Sequence, residues 1–114
     1  MIPIDKEFPL AFNEQSVHYL ANTPDEFQQY VASAQRAIDQ AVRAVNPNAT
    51  RTSGFRDPRF NTSLAGSKPD SPHLYGCATD YSRRDDWVSD ISGYLCIIEH
   101  DHYHVQPLAW KASR

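Results

Sequence analysis

The clearest hydrophobic pattern in the chain lies between Thr23 and Val45. Apolar residues recur there three and four positions apart, which is the spacing of one face of an α-helix. These positions are Phe27, Tyr30, Val31, Ala34, Ile38, Ala41, Val42 and Val45. Thr23 is suited to cap the helix, Pro24 to take its first position and Glu26 to complete a capping box. Because the apolar face is rich in alanine, we expect the helix to pack closely against a sheet.

Short segments after this helix predict strands. Residues 49–55 are partly β-branched and predict a strand leading into Arg56, and residues 75–81 predict a second strand. Residues 94–98 are a continuous apolar run, which predicts a buried strand. Residues 103–110 alternate and contain Pro107, so they predict a final strand near a sheet edge.

The other segments are less regular. Residues 1–22 contain Pro3 and Pro9 and predict an extended N-terminal arm, whose alternating apolar positions fit a short edge strand. Residues 57–72 are punctuated by proline and glycine and predict a loop. Residues 83–91 place Trp87, Val88 and Ile91 at helical spacing, which predicts a short helix.

One helix followed by short strands is typical of the α+β class. The 114 residues suffice for a single small domain, spanning 1–114, with one modest core. We therefore predict an antiparallel sheet packed against one long N-terminal helix. A hydrophobic content of 40% favours a folded domain over a disordered chain. We expect this domain to be a monomer.

Charge and composition exclude several classes of partner. The formal net charge is −3, which provides no basic surface for nucleic acid or an anionic membrane. No apolar run reaches the length of a membrane span. The N-terminus lacks a basic start followed by an apolar stretch, so we expect no signal peptide. Without such a signal we expect Cys77 and Cys96 to be free thiols, although the sequence leaves their pairing open.

Candidate metal ligands are concentrated in two segments. His73 and Asp80 lie seven positions apart in S-P-H-L-Y-G-C-A-T-D, and an imidazole and a carboxylate are both ligands of catalytic zinc. Such a site usually needs a third protein ligand and keeps one position for water. Two histidines in E-H-D-H-Y-H-V are candidates, because His102 and His104 each follow an acidic residue by three positions. Spacing alone leaves the choice between them open.

Three motifs resemble a known enzyme family. S-G-F-R begins at Ser53, S-x-H-x-x-G-x-A-x-D begins at Ser71, and D-x-x-H begins at Asp101. In this order they resemble the zinc D-Ala-D-Ala carboxypeptidases and phage endolysins of the M15 family of peptidases. The resemblance covers residues 49–105, about half of the chain.

The resemblance implies a role for each matching residue. It implies a zinc ion (Zn²⁺) at the sheet held by His73, Asp80 and His104, since the family's last histidine also lies between an aromatic and a β-branched residue. Asp101 would be the general base that takes a proton from the attacking water. Arg56 would lie beside the zinc, where it could bind substrate and stabilise the oxyanion. Ser71 would contact the substrate.

The implied function is hydrolysis of peptidoglycan stem peptides by a phage-type lytic enzyme. The bond cut is either the D-Ala-D-Ala terminus or the L-Ala-D-Glu bond. Such an enzyme, made in the cytoplasm without a signal peptide, would reach the bacterial wall after release or inside a phage particle. Two departures from the family pattern, Pro72 and Ala65-Gly66, bear on the approach to the site and on loop shape. The alternative is a catalytically silent module with a binding or structural role in a virion.

Overall fold

The computed structural model describes residues 13–64, 67–83 and 86–110. In these ranges, three α-helices and a 3-10 turn accompany a four-stranded antiparallel sheet, which confirms the predicted α+β class. The elements are α1 (Glu14–Ala21), α2 (Asp25–Val45), β1 (Arg51–Ser53), α3 (Pro58–Ser63), the 3-10 turn (Pro72–Tyr75), β2 (Thr79–Ser82), β3 (Tyr94–Ile98) and β4 (His102–Pro107). No helix within these ranges is long and apolar enough to cross a membrane.

The long predicted helix is present as α2, but its start differs from the prediction. It begins at Asp25, and the residue at its N-terminal cap, Pro24, makes no side-chain capping bond. The Thr23 hydroxyl instead donates to the carbonyl oxygen of Leu20 at 2.6 Å. The predicted capping box is therefore wrong, because Thr23 closes the helix before it.

That preceding helix, α1, corrects the prediction of an extended arm over residues 1–22. Residues 14–21 are helical, and the side chain of Asn13 caps them by accepting the backbone N–H of Ser16 at 3.1 Å. Leu20 is fully buried against Val31 of α2 and Phe55. Residues 1–12, with the predicted edge strand, lie outside the described residues.

The sheet has the strand order β1-β2-β4-β3, and neighbouring strands are antiparallel. Two expectations about its strands are wrong. The apolar run of β3 is an edge strand, and its Ile98 is 57% exposed. The strand expected near an edge, β4, lies inside the sheet, and Pro107 is tolerated because it is the last residue of the strand.

Two segments outside the sheet also differ from prediction. The predicted loop over residues 57–72 contains α3, which begins because Asp57 accepts the backbone N–H groups of Arg59 and Phe60. Among the described residues of 83–91 there is no helix. Trp87 is held there by stacking on Tyr103, with ring centroids 4.3 Å apart.

The core lies between α2 and one face of the sheet. Ile38 and Val42 of α2 pack against Tyr81 of β2 and Val105 of β4. Both cysteines are free, as expected, and Cys77 is buried. The opposite face of the sheet is not covered by α2, and it carries the candidate site.

Candidate metal centre

The pairing of β2 with β4 brings two predicted ligands together. Asp80 lies directly opposite His104 in the antiparallel register, and Ser53 of β1 is paired with Asp80 from the other side. Because side chains alternate between the faces of a sheet, Asp80 and His104 point away from α2 while Tyr81 and Val105 point toward it. The predicted ligands therefore share one face.

The third predicted ligand, His73, comes from the 3-10 turn before β2. The Ser71 hydroxyl caps this turn by accepting the backbone N–H of His73 at 3.2 Å, and Pro72 takes its first position. Gly76 ends the turn with a φ of 73°, a left-handed conformation that side chains disfavour. A Cβ at Gly76 would also lie 2.9 Å from a Val31 side-chain carbon of α2. This glycine lets the chain reverse against the helix and present His73 to the sheet.

The tautomer of His73 follows from its partners. Its Nδ1 lies 2.8 Å from the carbonyl oxygen of Gly54, which can only accept, so Nδ1 carries the hydrogen of the neutral ring. Burial lowers the pKa of His73, although the Asp80 carboxylate opposes this, and only 2% of the residue is exposed. Its Nε2 is buried, makes no hydrogen bond, and lies 3.2 Å from Asp80 Oδ1. A lone pair therefore faces a carboxylate oxygen with no hydrogen between them.

His104 presents a second nitrogen to the same oxygen. Gln106 donates its amide Nε2 to the carbonyl of Trp110, which turns its Oε1 toward His104 Nε2 at 2.7 Å. His104 therefore donates from Nε2, and in the neutral ring Nδ1 keeps its lone pair. This Nδ1 lies 3.2 Å from Asp80 Oδ1.

The donor set fits a metal ion of the zinc type. The three ligand atoms of His73, Asp80 and His104 lie within 4.8 Å of one another. Two lone pairs directed at one carboxylate oxygen repel it unless a metal ion lies among them or one ring takes up a proton and donates it to the carboxylate. With zinc–ligand bonds of about 2.0–2.1 Å, neighbouring ligand atoms of a tetrahedral site are about 3.3 Å apart, close to the two nitrogen–oxygen distances of 3.2 Å. The group can hold a metal ion, and its chemistry suits zinc.

The second oxygen of Asp80 is held by Arg56. Arg56 Nη2 lies 3.0 Å from Asp80 Oδ2, and its other nitrogens bond to the side chains of Ser53 and Asn61. Burial lowers the pKa of Arg56, and the pair with Asp80 opposes this. Burial raises the pKa of Asp80, and His73 and His104 lower it only where a ring is protonated and donates to the carboxylate, a state that competes with a bound metal ion. The carboxylate is therefore ionised and fixed at both oxygens.

Asp101 and His102 lie at the rim of the same site. Asp101 Oδ1 is 2.6 Å from His102 Nδ1, and the Asp101 side chain is 79% exposed. The hydrogen bond from His102 lowers the pKa of Asp101. His102 Nε2 is 3.7 Å from Asp80 Oδ2, farther than the two ligand histidines are from Oδ1. The geometry thus brings together His104, rather than His102, with the other two ligands.

A cleft of about 630 Å³ opens over the group. The segments near β1 supply Arg56 and Lys68, whereas the turn between β3 and β4, at the other side of the sheet, supplies Glu99 and Asp101. Ser71 also lines the cleft, although its hydroxyl serves the cap of the 3-10 turn. The cleft therefore has a cationic wall and an acidic wall, with the candidate ligands between them.

Sequence reasoning missed three buried amides that support this site. Asn61 donates to the carbonyl of Lys68 at 2.8 Å and accepts from Arg56. Gln106 orients His104. Gln35 of α2 bonds to the segment before Asp80. The only signal for Gln35 is a polar residue within the apolar face of a helix.

Comparison with protein-family models, curated proteins and solved structures found no match to this chain.

Proposed function

We propose that this protein is a zinc-dependent peptidase that hydrolyses peptidoglycan stem peptides, as a phage-type lytic enzyme does. The observation that carries the proposal is the convergence of His73, Asp80 and His104 at the base of an open cleft. These are the residues at which three separate motifs resemble the zinc carboxypeptidase and endolysin family. Three protein ligands with an open side are the arrangement of a catalytic zinc rather than a structural one.

The chemistry needs a polarised carbonyl and an activated water, and zinc bound at such a site supplies both. Asp101 lies at the mouth of the cleft with an ionised, exposed carboxylate. It acts as the general base, which accepts the proton of the attacking water and delivers it to the leaving amine. Its bond to His102 fixes its position at the rim.

Arg56 has two functions in this proposal. Its guanidinium keeps the Asp80 carboxylate oriented toward the two histidines, with an Nη2–Oδ2 distance of 3.0 Å. The same group lines the cleft, where its positive charge stabilises the oxyanion that forms at the scissile carbonyl. Ser71 also lines the cleft, where it would contact the substrate.

The two walls of the cleft support a stem peptide as the substrate. Such peptides carry carboxylates, which suit the wall with Arg56 and Lys68, and many carry a free amine, which suits Glu99 and Asp101. Apolar surface from Phe60, Leu64 and Ile97 lies between these charges and can contact alanine methyl groups. The peptide would therefore bind in one direction across the site.

The decisive experiment is digestion of purified cell walls by the zinc-loaded chain. Mass spectrometry of the new termini should show either release of D-Ala or new D-Glu amino termini. The Asp101→Asn variant, loaded with zinc in the same way, is the matched control. Zinc-loaded wild type that cleaves none of several wall types would overturn the peptidase proposal and favour a silent binding module.

A further inference from the structure

Gln35 is a fully buried polar residue in the middle of α2, on the same helix face as Val31. Its Oε1 accepts the backbone N–H of Phe55 at 3.1 Å. Its Nε2 lies 2.8 Å from the Gly76 carbonyl and 3.2 Å from both the Ala78 carbonyl and the Thr79 hydroxyl. Carbonyls only accept and an N–H only donates, so the orientation of this amide is fixed.

The two segments that Gln35 joins are those that hold the ligands. Phe55 follows Gly54, whose carbonyl fixes the tautomer of His73, and the backbone N–H of Arg56 donates to the His73 carbonyl at 3.0 Å. The other segment, residues 76–79, is the whole connection between the turn that carries His73 and the strand residue Asp80. The Gln35 amide therefore links the peptide of Gly54, which bonds to His73, to the backbone just before Asp80.

We propose that Gln35 is a positioning residue of the metal centre, which sets the placement of His73 relative to Asp80 through Gly54 and residues 76–79. The inference rests on the metal site of the proposed function, but it needs no assumption about the substrate. The Gly54 carbonyl is an outer partner that orients a ligand, and loss of such a partner typically weakens metal binding by 10–100-fold. Gln35 holds this carbonyl through the N–H of the same peptide bond, so its loss should weaken metal binding by up to that amount. A residue that serves the core alone would not change the state of the His73 ring.

The test compares Gln35→Met with Val42→Ala. Methionine has a similar length and volume but makes none of these bonds. Val42 is also fully buried on α2, yet it packs against Tyr81 and Val105 on the core side, so its truncation destabilises the chain without touching either segment. The unfolding midpoints of both variants are measured first. Differences in the His73 ring and in zinc affinity are then compared under conditions in which both variants are fully folded.

The first measurement is nuclear magnetic resonance of the histidine ring nitrogens in the zinc-free chain. Wild type should show a slowly exchanging His73 Nδ1–H, because this hydrogen bonds to the Gly54 carbonyl whether or not the ring is protonated, and Val42→Ala should show the same. Gln35→Met should show faster exchange of this hydrogen, because the Gly54 carbonyl is no longer held in place. The second measurement is zinc affinity by competition with a chelator, where Gln35→Met should bind up to 10–100-fold more weakly than Val42→Ala.

The proposal is overturned if Gln35→Met keeps the wild-type exchange rate of the His73 Nδ1–H and the wild-type zinc affinity, or if both variants lose affinity equally. If Gln35→Met does not fold, Gln35→Glu carries the test, since a buried neutral glutamic acid keeps the acceptor for Phe55 and one donor. The zinc affinity of Gln35→Glu should lie between that of wild type and complete loss of binding. An affinity equal to that of wild type would refute the role of Gln35. Absence of peptidase activity would refute the proposed function alone, because the ring measurement requires neither zinc nor substrate.

Discussion

The two faces of the central sheet have opposite chemistry although they share the same strands. Toward α2, Tyr81 and Val105 are fully buried in an apolar cluster. On the other face, their neighbours Asp80 and His104 form a polar group at the base of a cleft. Because strand side chains alternate, Asp80 and His104 are each fixed in the backbone by buried residues on both sides. The comparison indicates that the core face provides rigidity and the cleft face provides chemistry.

The largest effect should come from removing a ligand on the cleft face. His104→Ala removes one of the nitrogens that face Asp80 Oδ1, so zinc affinity should fall by more than the 10–100-fold expected of outer partners. Peptidase activity should be lost with it. Metal analysis after dialysis measures the retention of zinc.

The matched variant is His102→Ala, on the same face of β4 but 3.7 Å from the other oxygen of Asp80. It should retain zinc. Loss of zinc from His102→Ala with retention in His104→Ala would show that the ligand assignment is wrong by one histidine.

The next largest effect separates catalysis from metal binding on the same face. Asp101→Asn has nearly the size of wild type but cannot accept a proton at neutral pH. Activity on wall peptides should fall by about 10²- to 10⁴-fold, the usual contribution of a general base, while zinc content stays unchanged. Loss of zinc would instead make Asp101 a ligand, and full activity would exclude it as the base.

A change on the core face should lower the stability of the fold and leave zinc binding unchanged. Ile38→Ala removes a buried side chain that packs against Tyr81 and Val105, and it should cost about 2–5 kcal/mol of the free energy of unfolding. Zinc content at temperatures where the variant is folded should not change. Urea unfolding with parallel metal analysis measures both quantities.

Chelation of the proposed metal is the converse control for Ile38→Ala. Chelation should lower the melting temperature because a ligand of the native state is withdrawn. The transition should remain cooperative, since the core cluster on α2 involves no ligand. A chain that is unfolded after chelation would contradict the separation of the two faces.

Local patterns predicted some parts of the molecule well. The apolar face of α2 has a period that only a helix fits, and the apolar run of β3 is too short for a helix of usual length; both elements are present. His73, Asp80 and His104 were found because their spacing and motifs are local, and the structure brings them together.

The predictions that failed do so either because a neighbouring element uses the same residue or because a distant partner decides the structure. Thr23 carries a capping signal, but its hydroxyl is used by the end of α1. Val88 has helical spacing with Ile91, yet its backbone N–H and carbonyl both bond to the side chain of Asn46 at 2.8 and 2.7 Å. The order of the strands, and hence the edge position of β3, is set by tertiary pairing that no local period encodes.

The smallest predicted effect concerns Tyr81, whose side chain lies on the opposite face of the sheet from that of its neighbour Asp80. Burial raises the pKa of Tyr81, and Asp39, which accepts its hydroxyl at 3.0 Å, raises it further. The folded pKa therefore lies above the unfolded value of about 10. The stability from this group is fully present below about pH 10 and is lost as the pH rises further, by up to about 1.4 kcal/mol per pH unit.

Tyr81→Phe should remove this alkaline slope and cost about 1 kcal/mol at neutral pH for the lost hydrogen bond. Urea unfolding of both proteins between pH 7 and pH 11 measures the difference in slope. Tyr30, whose pKa is raised to about 12 by its hydrogen bond with Cys77, is present in both proteins, so the difference reports Tyr81 alone. Zinc content at neutral pH should be equal, because the removed hydroxyl points to α2 and the ligands point to the cleft. Equal dependence of the unfolding free energy on alkaline pH in the two proteins would show that ionisation of Tyr81 does not destabilise the fold. A loss of zinc from Tyr81→Phe would show that the two faces of the sheet are coupled through β2.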